Sequence, residues 1–297
     1  MYDVTCPSEP APRSRGGGPT HAAATNATDP LVAIRVAGGV DLKIARRGDQ
    51  SFASRRVERD GYKLRVPNRP GVLEVAIVNT GGGIASGDRI AIDVEADDGT
   101  DAVVTSPAAE RIYRANSLAP ARYSTSLKIG DGASLLWLPQ ETIMFDGARI
   151  ERTIDVTLGR DATLVIAETV IFGRKARGEV VSSGRFQDRW QIKRDGRLVH
   201  AEAVLLDGAI SQTLDVAAVA GGAAAMSTVV VVGPQVDAAL ASTRAILGRQ
   251  PVTSGVSRWD GKLVVRLLGR SGQDVRTALE QALPALTGCA LPRVWNC

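Results

Sequence analysis

The chain has 297 residues, and 44% of them are hydrophobic, which suffices for a substantial core in one large domain or two small ones. Its formal net charge of +4 and its 4% of aromatic residues argue only weakly for a nucleic-acid partner. With two histidines and three cysteines, all three near the chain ends, the sequence excludes a disulfide framework and a multi-histidine metal centre within one chain.

Hydrolytic catalysis of the serine or cysteine type has little support in this sequence. His21 lies in the N-terminal tail, so a catalytic base would have to be His200, and there is no GxSxG elbow. A histidine within a β-like run is more often structural.

No basic start followed by an apolar core marks a secretory signal. Residues 217–232 form the nearest approach to a membrane-spanning run, and Gly221-Gly222 interrupts it. We therefore expect a cytoplasmic protein with no membrane partner.

Residues 1–30 are rich in Pro, Gly, Ala, Ser and Thr and have almost no large apolar side chains. Such a segment cannot bury enough surface to offset the entropy of ordering, so we predict a disordered tail. Because no internal linker follows, we predict a single domain over residues 31–297.

Short alternating or apolar runs bounded by Gly, Asp or Pro predict β-strands through most of the domain. The predicted strands cover 31–36, 42–46, 62–66, 90–94, 123–129, 134–138, 154–158, 164–172, 180–182, 190–193, 198–206, 227–232 and 263–268. Strands without intervening helices indicate an all-β sandwich or a coiled stack of sheets.

Helices are predicted only late in the chain. Pro234 begins a segment with Val236, Leu240 and Leu247 on one face, and Gly248 ends it. A second helix starts at a capping box of Ser271 and Asp274, while Asp260-Gly261 predicts a hairpin turn between the two helices.

A glycine-rich loop occupies residues 79–88, which read NTGGGIASGD. It is not a phosphate loop, because Asp88 stands where a P-loop has its lysine and a strand pattern follows instead of a helix. We expect a structural hairpin turn here.

Residues 137–149 read WLPQETIMFDGAR and place Glu141 and Asp146 near a bend. Two carboxylates five positions apart suit an acid–base pair or an oxygen-ligand metal site, but the polar edge of a β-turn is the favoured interpretation.

A basic segment spans residues 174–197 and suits an acidic protein partner or a plain solvated surface better than a nucleic acid. Its basic residues are Arg174, Lys175, Arg177, Arg185, Arg189, Lys193, Arg194 and Arg197, against Glu179, Asp188 and Asp195. At the C-terminus, Cys289 and Cys297 form a weak candidate for a soft-ligand metal site.

Four segments in order resemble the UreD family of urease accessory proteins, called UreH in some bacteria. They are NTGGGIASGD with TSPAAERIYRA (79–88 and 105–115), WLPQETIMFDGAR (137–149), GRKARGE (173–179) and LPRVW (291–295). The resemblance implies a mainly β fold of superhelical, stacked antiparallel sheets with two α-helices in the C-terminal half.

The resemblance also implies a cytoplasmic, non-enzymatic urease maturation factor, a chaperone that inserts nickel into apo-urease together with UreF and the GTPase UreG. UreE is the usual nickel donor, no cofactor is bound tightly, and nickel is expected to pass through the interior. Two alternatives remain open: a carbohydrate-active β-sandwich enzyme using Glu141 and Asp146, and a nucleic-acid binder using the basic segment.

Nickel in transit must be held loosely, which favours carboxylates, amides and water over a thiolate or imidazole cage. Within the family motifs, the predicted nickel-path residues are Asp88, Glu141, Asp146 and Glu179. The predicted partner contacts are Arg174, Arg177 and Trp295, the last because a chain end is expected to be exposed.

Overall fold

The computed structural model describes residues 35–67 and 71–296, which form two β-sheets and three α-helices. The strands are β1 (Ala37–Arg47), β2 (Gln50–Arg59), β3 (Tyr62–Arg65), β4 (Leu73–Asn79), β5 (Arg89–Ala96), β6 (Asp101–Thr105), β7 (Glu110–Ile112), β8 (Ala121–Ile129), β9 (Ser134–Leu138), β10 (Thr142–Met144), β11 (Arg149–Leu158), β12 (Thr163–Phe172), β13 (Gly184–Arg194), β14 (Arg197–Gly208), β15 (Ala225–Val232), β16 (Thr253–Trp259) and β17 (Lys262–Gly269). The helices are α1 (Ile210–Asp215), α2 (Val236–Leu247) and α3 (Gly272–Thr287).

The chain winds back and forth between the two sheets. One sheet has seven strands in the order β14-β13-β11-β8-β5-β1-β2. The other has ten, with β16-β17-β15-β12-β9-β6-β4-β3 in its main path and β10 and β7 beside it. Each turn of this coil contributes one strand to each sheet, as in a solenoid. The prediction of a mainly β, stacked-sheet fold with two long helices in the C-terminal half is confirmed.

The pairing within the coil differs from the antiparallel sheets expected. The ladders β1–β5–β8–β11–β13 and β4–β6–β9–β12 are parallel. Neighbours in each sheet are separated by a strand that crosses in the other sheet, so they run in the same direction. Antiparallel pairs occur at the ends of the stack, for example β13–β14 and β15–β17.

The prediction of a hairpin turn at the glycine-rich loop is wrong. The strands that flank this loop, β4 and β5, belong to different sheets. The loop is therefore a turn that carries the chain from one sheet to the other.

Apolar side chains form two cores. The larger core fills the space between the sheets and includes Leu42, Ile92, Leu127 and Phe186. The second lies between the outer face of the ten-stranded sheet and helices α2 and α3. The run 164–172 is buried on both faces, because alternate residues of β12 enter the two cores.

Most of the predicted strands are confirmed within longer strands, but β2, β6, β7 and β10 were not predicted. Residues 180–182 form a loop instead of a strand, because the Ser182 amide donates to Asp146 and not to a ladder. Helix α1 was not predicted. The tail 1–30 and most of the strand expected at 31–36 lie outside the described residues, and a single domain over 31–297 stays a prediction.

The start of α3 offers a test of the capping interpretation. Ser271 is the N-cap residue, and its hydroxyl accepts a hydrogen bond of 3.2 Å from the Asp274 amide. We expect Ser271→Ala to lower the free energy of unfolding by about 1 kcal/mol, and Ser271→Asp to retain most of it. Urea denaturation of the three proteins measures this, and an unchanged midpoint for the alanine variant would refute the cap.

Candidate functional site

The two halves of the first family motif pack against each other. A side chain on Gly83 would meet the Tyr113 ring at 2.6 Å and the Arg111 carbonyl oxygen at 2.7 Å, so this close approach requires glycine. The Tyr113 hydroxyl donates to the carbonyl oxygen of Gly82, and Ile84 pairs with Ile112. The motif therefore builds a rigid turn beside β7.

Asp88 is buried and accepts hydrogen bonds from the backbone of its own turn and from the segment before β1. One carboxylate oxygen accepts from the Val36 amide at 3.0 Å and the other from the Ala85 amide at 2.8 Å. Asx contacts of this kind stabilise turns. These contacts favour a structural role for Asp88 over the predicted role on the nickel path.

Asp146 stabilises the loop before β13 through hydrogen bonds. It accepts hydrogen bonds from the Ser182 amide, the Ser182 hydroxyl and the Ser183 amide, and it forms an ion pair with Arg114. Burial alone would raise its pKa, but these hydrogen bonds outweigh burial and lower the pKa.

Glu141 and Glu179 are also held by arginines. Glu141 lies 3.1 Å from Nη1 of Arg276. Glu179 binds Arg174 through both oxygens, at 2.7 and 2.8 Å, and this contact lowers the pKa of Glu179. Arg174 also lies over the Phe145 ring.

Among the described residues, no group of three or more His, Cys, Asp or Glu side chains is placed to hold a metal ion. The four predicted path carboxylates are thus distributed over separate turns and ion pairs. Their assignment to a nickel path stays a prediction.

Asp146 distinguishes the structural role from the path role. We expect Asp146→Ala to lower the free energy of unfolding by about 1–3 kcal/mol, because two backbone amides lose their acceptor. The lowered pKa means that this stabilisation is present above about pH 4 and is lost as the pH falls through the folded-state value. Thermal unfolding from pH 3 to 7 should show the two proteins converging at acid pH; a constant difference would contradict the assignment.

A cavity of about 160 Å³ lies between the two sheets. Its polar lining includes Tyr62, Asn79, Glu110, Thr142, Arg152 and Glu168, and we call it the interior cavity. These groups come from both sheets, so polar side chains face a space between the sheets that opens at the exposed loop of Pro107 and Ala108.

Glu110 forms one end of the polar lining. Its carboxylate accepts from the Asn79 amide nitrogen at 2.9 Å and from the Tyr62 hydroxyl at 3.1 Å. Burial raises its pKa, although both hydrogen bonds oppose the shift.

Glu168 is the second acid of the cavity. One oxygen accepts from the Trp137 indole at 2.7 Å and the other from Arg152 at 3.0 Å. Arg152 reaches on to Asp188 at 2.6 Å. Burial raises the pKa of Glu168, partly offset by Arg152 and Trp137.

The cavity lining presents oxygen ligands of the kind that hard and borderline cations prefer. Two carboxylates, an amide and hydroxyl groups are oxygen-rich ligands of the kind that a cation can exchange with water. Tyr123 also lines the cavity and interacts electrostatically with both acids.

Sequence reasoning missed both cavity acids. A signal was present for Glu168, which is the one charged residue in the apolar run 164–172. A charge in a strand buried on both faces needs a partner or a function. Glu110 lay within a quoted motif, but nothing in its local sequence shows that β7 faces the cavity.

Trp295 is buried, although the sequence predicted an exposed side chain. Its side chain is 3% exposed in the second core, and its indole donates to the Leu138 carbonyl oxygen at 3.1 Å. Arg276 donates to the Trp295 carbonyl oxygen at 2.7 Å. The last turn of the chain is thus packed onto the ten-stranded sheet.

Two arginines of the basic segment are paired with acidic residues of this chain. Arg174 is paired with Glu179, and Arg185 with Glu151 and Asp207, whereas Arg177 is exposed. Partner binding by Arg174, Arg177 and Trp295 stays a prediction.

The remaining soft-ligand candidates are His200, Cys289 and Cys297. His200 is buried, with Nε2 3.3 Å from a Glu202 oxygen, which fits the structural role expected for it. Cys289 is exposed, and Cys297 lies outside the described residues.

Comparison with known proteins decides the family. A model described as UreD urease accessory protein matches residues 36–296. This chain belongs to the UreD family. It is 39% identical to urease accessory protein UreD 3 of Methylorubrum extorquens (strain PA1), over 97% of this chain and 99% of that protein. It is also 39% identical to UreD 1 of Methylobacterium radiotolerans, over the full length of both, and 41% identical to UreD 1 of Brucella melitensis biotype 1, over 88% and 94%.

Membership gives this UreD protein a role in urease maturation, and its relatives are named accessory proteins rather than enzymes. The alternative of a carbohydrate-active enzyme is therefore set aside. Within the described ranges, no helix is long and apolar enough to cross a membrane.

Proposed function

We propose that this UreD protein acts in the cytoplasm with UreF and the GTPase UreG to insert nickel into apo-urease, with UreE as the nickel donor. We further propose that nickel passes through the interior cavity. The observation that carries this proposal is a cavity between the sheets of a urease maturation factor that is lined by the buried carboxylate of Glu168 and the half-buried carboxylate of Glu110.

The chemistry of the cavity suits passage. Glu110 and Glu168 line the cavity together with amide and hydroxyl groups, and none of the described lining residues supplies a thiolate or imidazole. Such ligands hold a divalent cation through exchangeable contacts, so the cation can leave for a tighter site.

The four carboxylates Asp88, Glu141, Asp146 and Glu179 are proposed as secondary positions on the path. Their hydrogen bonds favour structural roles. A path residue would lower nickel loading in a variant of unchanged stability, whereas a structural residue would lower both together.

Co-purification tests the partners. We expect a tagged full-length chain, expressed with UreF, UreG and apo-urease, to retain all three through affinity and size-exclusion steps. Binding of RNA or polysaccharide without UreF would contradict the proposal.

Arg177 provides a finer test of the partner surface. Its side chain is exposed, so Arg177→Ala should leave stability unchanged within about 0.5 kcal/mol. If Arg177 contacts a partner, the variant weakens co-purification; unchanged retention of all partners removes it from the interface.

A further inference from the structure

Arg152 links the two sheets through the interior cavity. It lies on β11 of the seven-stranded sheet, beside Asp188 on β13 of the same sheet, and it reaches Glu168 on β12 of the other. All three side chains are nine-tenths or more buried. A guanidinium therefore occupies the wall of a space whose acids would attract a cation.

Glu168 has no oxygen without a contact in this arrangement. Trp137 donates to Oε1, and Arg152 donates to Oε2. A cation that binds Oε2 of Glu168 shares that oxygen with the Arg152 guanidinium, and the two positive charges repel each other. The contact with Arg152 is the one that opposes a cation by charge.

The ion-pair network also leaves polar groups without partners. Across the described part of the chain, Arg152 Nε and Asp188 Oδ1 are buried and make no hydrogen bond. Leaving a buried polar group without a partner is costly, so this arrangement is incomplete by itself.

We propose that Arg152 is a positioning residue, an internal counter-ion that neutralises Glu168 in the nickel-free protein and that a divalent cation displaces from this carboxylate. This inference rests on the proposed function, because it concerns the same cavity. Arg152 keeps the site occupied by a tethered cation, which lowers the apparent affinity for nickel and speeds its release.

Removal of the guanidinium should strengthen nickel retention. In Arg152→Met, Glu168 and Asp188 lose their internal cation, and an added divalent cation takes its place. We expect nickel to leave this variant at least about tenfold more slowly than the wild type, since the fraction of free Glu168 sets the apparent affinity.

The experiment uses the full chain co-purified with UreF. Each sample is loaded with nickel chloride and desalted, and release into a chromogenic chelator is followed over time. Arg149→Met is the matched control, because Arg149 lies on the same strand but its contacts are with Leu118 and Asp207. It should release nickel at the wild-type rate. Adding Glu168→Gln to Arg152→Met should abolish the gain.

Loss of Arg152 leaves two buried carboxylates and can prevent folding. The double variant Arg152→Met/Asp188→Asn avoids this, because it removes one charge of each sign and keeps the net charge of the group. Slow release in the double variant attributes the effect to displacement of the guanidinium rather than to net charge.

Two outcomes overturn the inference: release at the wild-type rate from both Arg152 variants, or a slow release that persists when Glu168 is glutamine. Failure of the proposed function is seen separately, as a wild-type chain that does not support nickel loading of urease in the host.

Discussion

Replacement of Glu168 by glutamine is expected to lower the nickel content of urease about tenfold or more while the chain stays folded. Glutamine has nearly the same shape and keeps an oxygen for the Trp137 indole, and Arg152 keeps its contact with Asp188. The variant therefore removes one negative charge from the cavity with almost no change in side-chain volume.

The measurement is nickel per urease active site after co-expression with UreF and UreG, together with the melting temperature of the UreD variant. Glu151→Gln is the matched control, because Glu151 lies on β11 but faces outward, where it pairs with Arg122 and Arg185. Wild-type loading with Glu168→Gln would remove the carboxylate from the path. A loss of loading that accompanies early melting would assign it a structural role.

Trp295→Ala is expected to lower the free energy of unfolding by about 3–5 kcal/mol, the largest stability effect we anticipate. The substitution opens a hole in the second core and removes the hydrogen bond to the Leu138 carbonyl oxygen. It also loosens the segment that Arg276 holds through the Trp295 carbonyl oxygen and the indole face.

Urea denaturation checks this value, with Trp259→Ala as the control. Trp259 is 42% exposed and contacts Lys262 and His200, so its removal should cost much less. Equal losses for the two variants would contradict the placement of Trp295. A Trp295 variant that keeps wild-type stability but binds UreF poorly would instead restore the interface interpretation.

Local patterns were sufficient for most of the long strands and for the two long helices, but not for β2, β6, β7 and β10. The alternation of apolar and polar residues predicted β5, β8 and β11, and the capping box at Ser271 predicted the start of α3. Sheet membership could not be derived in this way, because nothing local shows that β4 and β5 lie in different sheets. Parallel pairing follows from the alternation of the chain between the two sheets, so neither feature was predicted.

The candidate site illustrates the same limit. The motif carboxylates drew attention because they lie near turns, and turns are where carboxylates bond to backbone amides, as Asp88 and Asp146 do. Glu168, Arg152 and Asp188 are far apart in sequence, and only the coil of strands brings them together. The isolated acid in β12 was the one local hint of the cavity.

The most direct test of the account is the nickel content of urease from a urease-positive host that lacks this chain. We expect urease protein to be present but to contain little nickel and to show little activity, with both restored by the wild-type chain. Urease with normal nickel content and activity in the deletion strain would contradict the account.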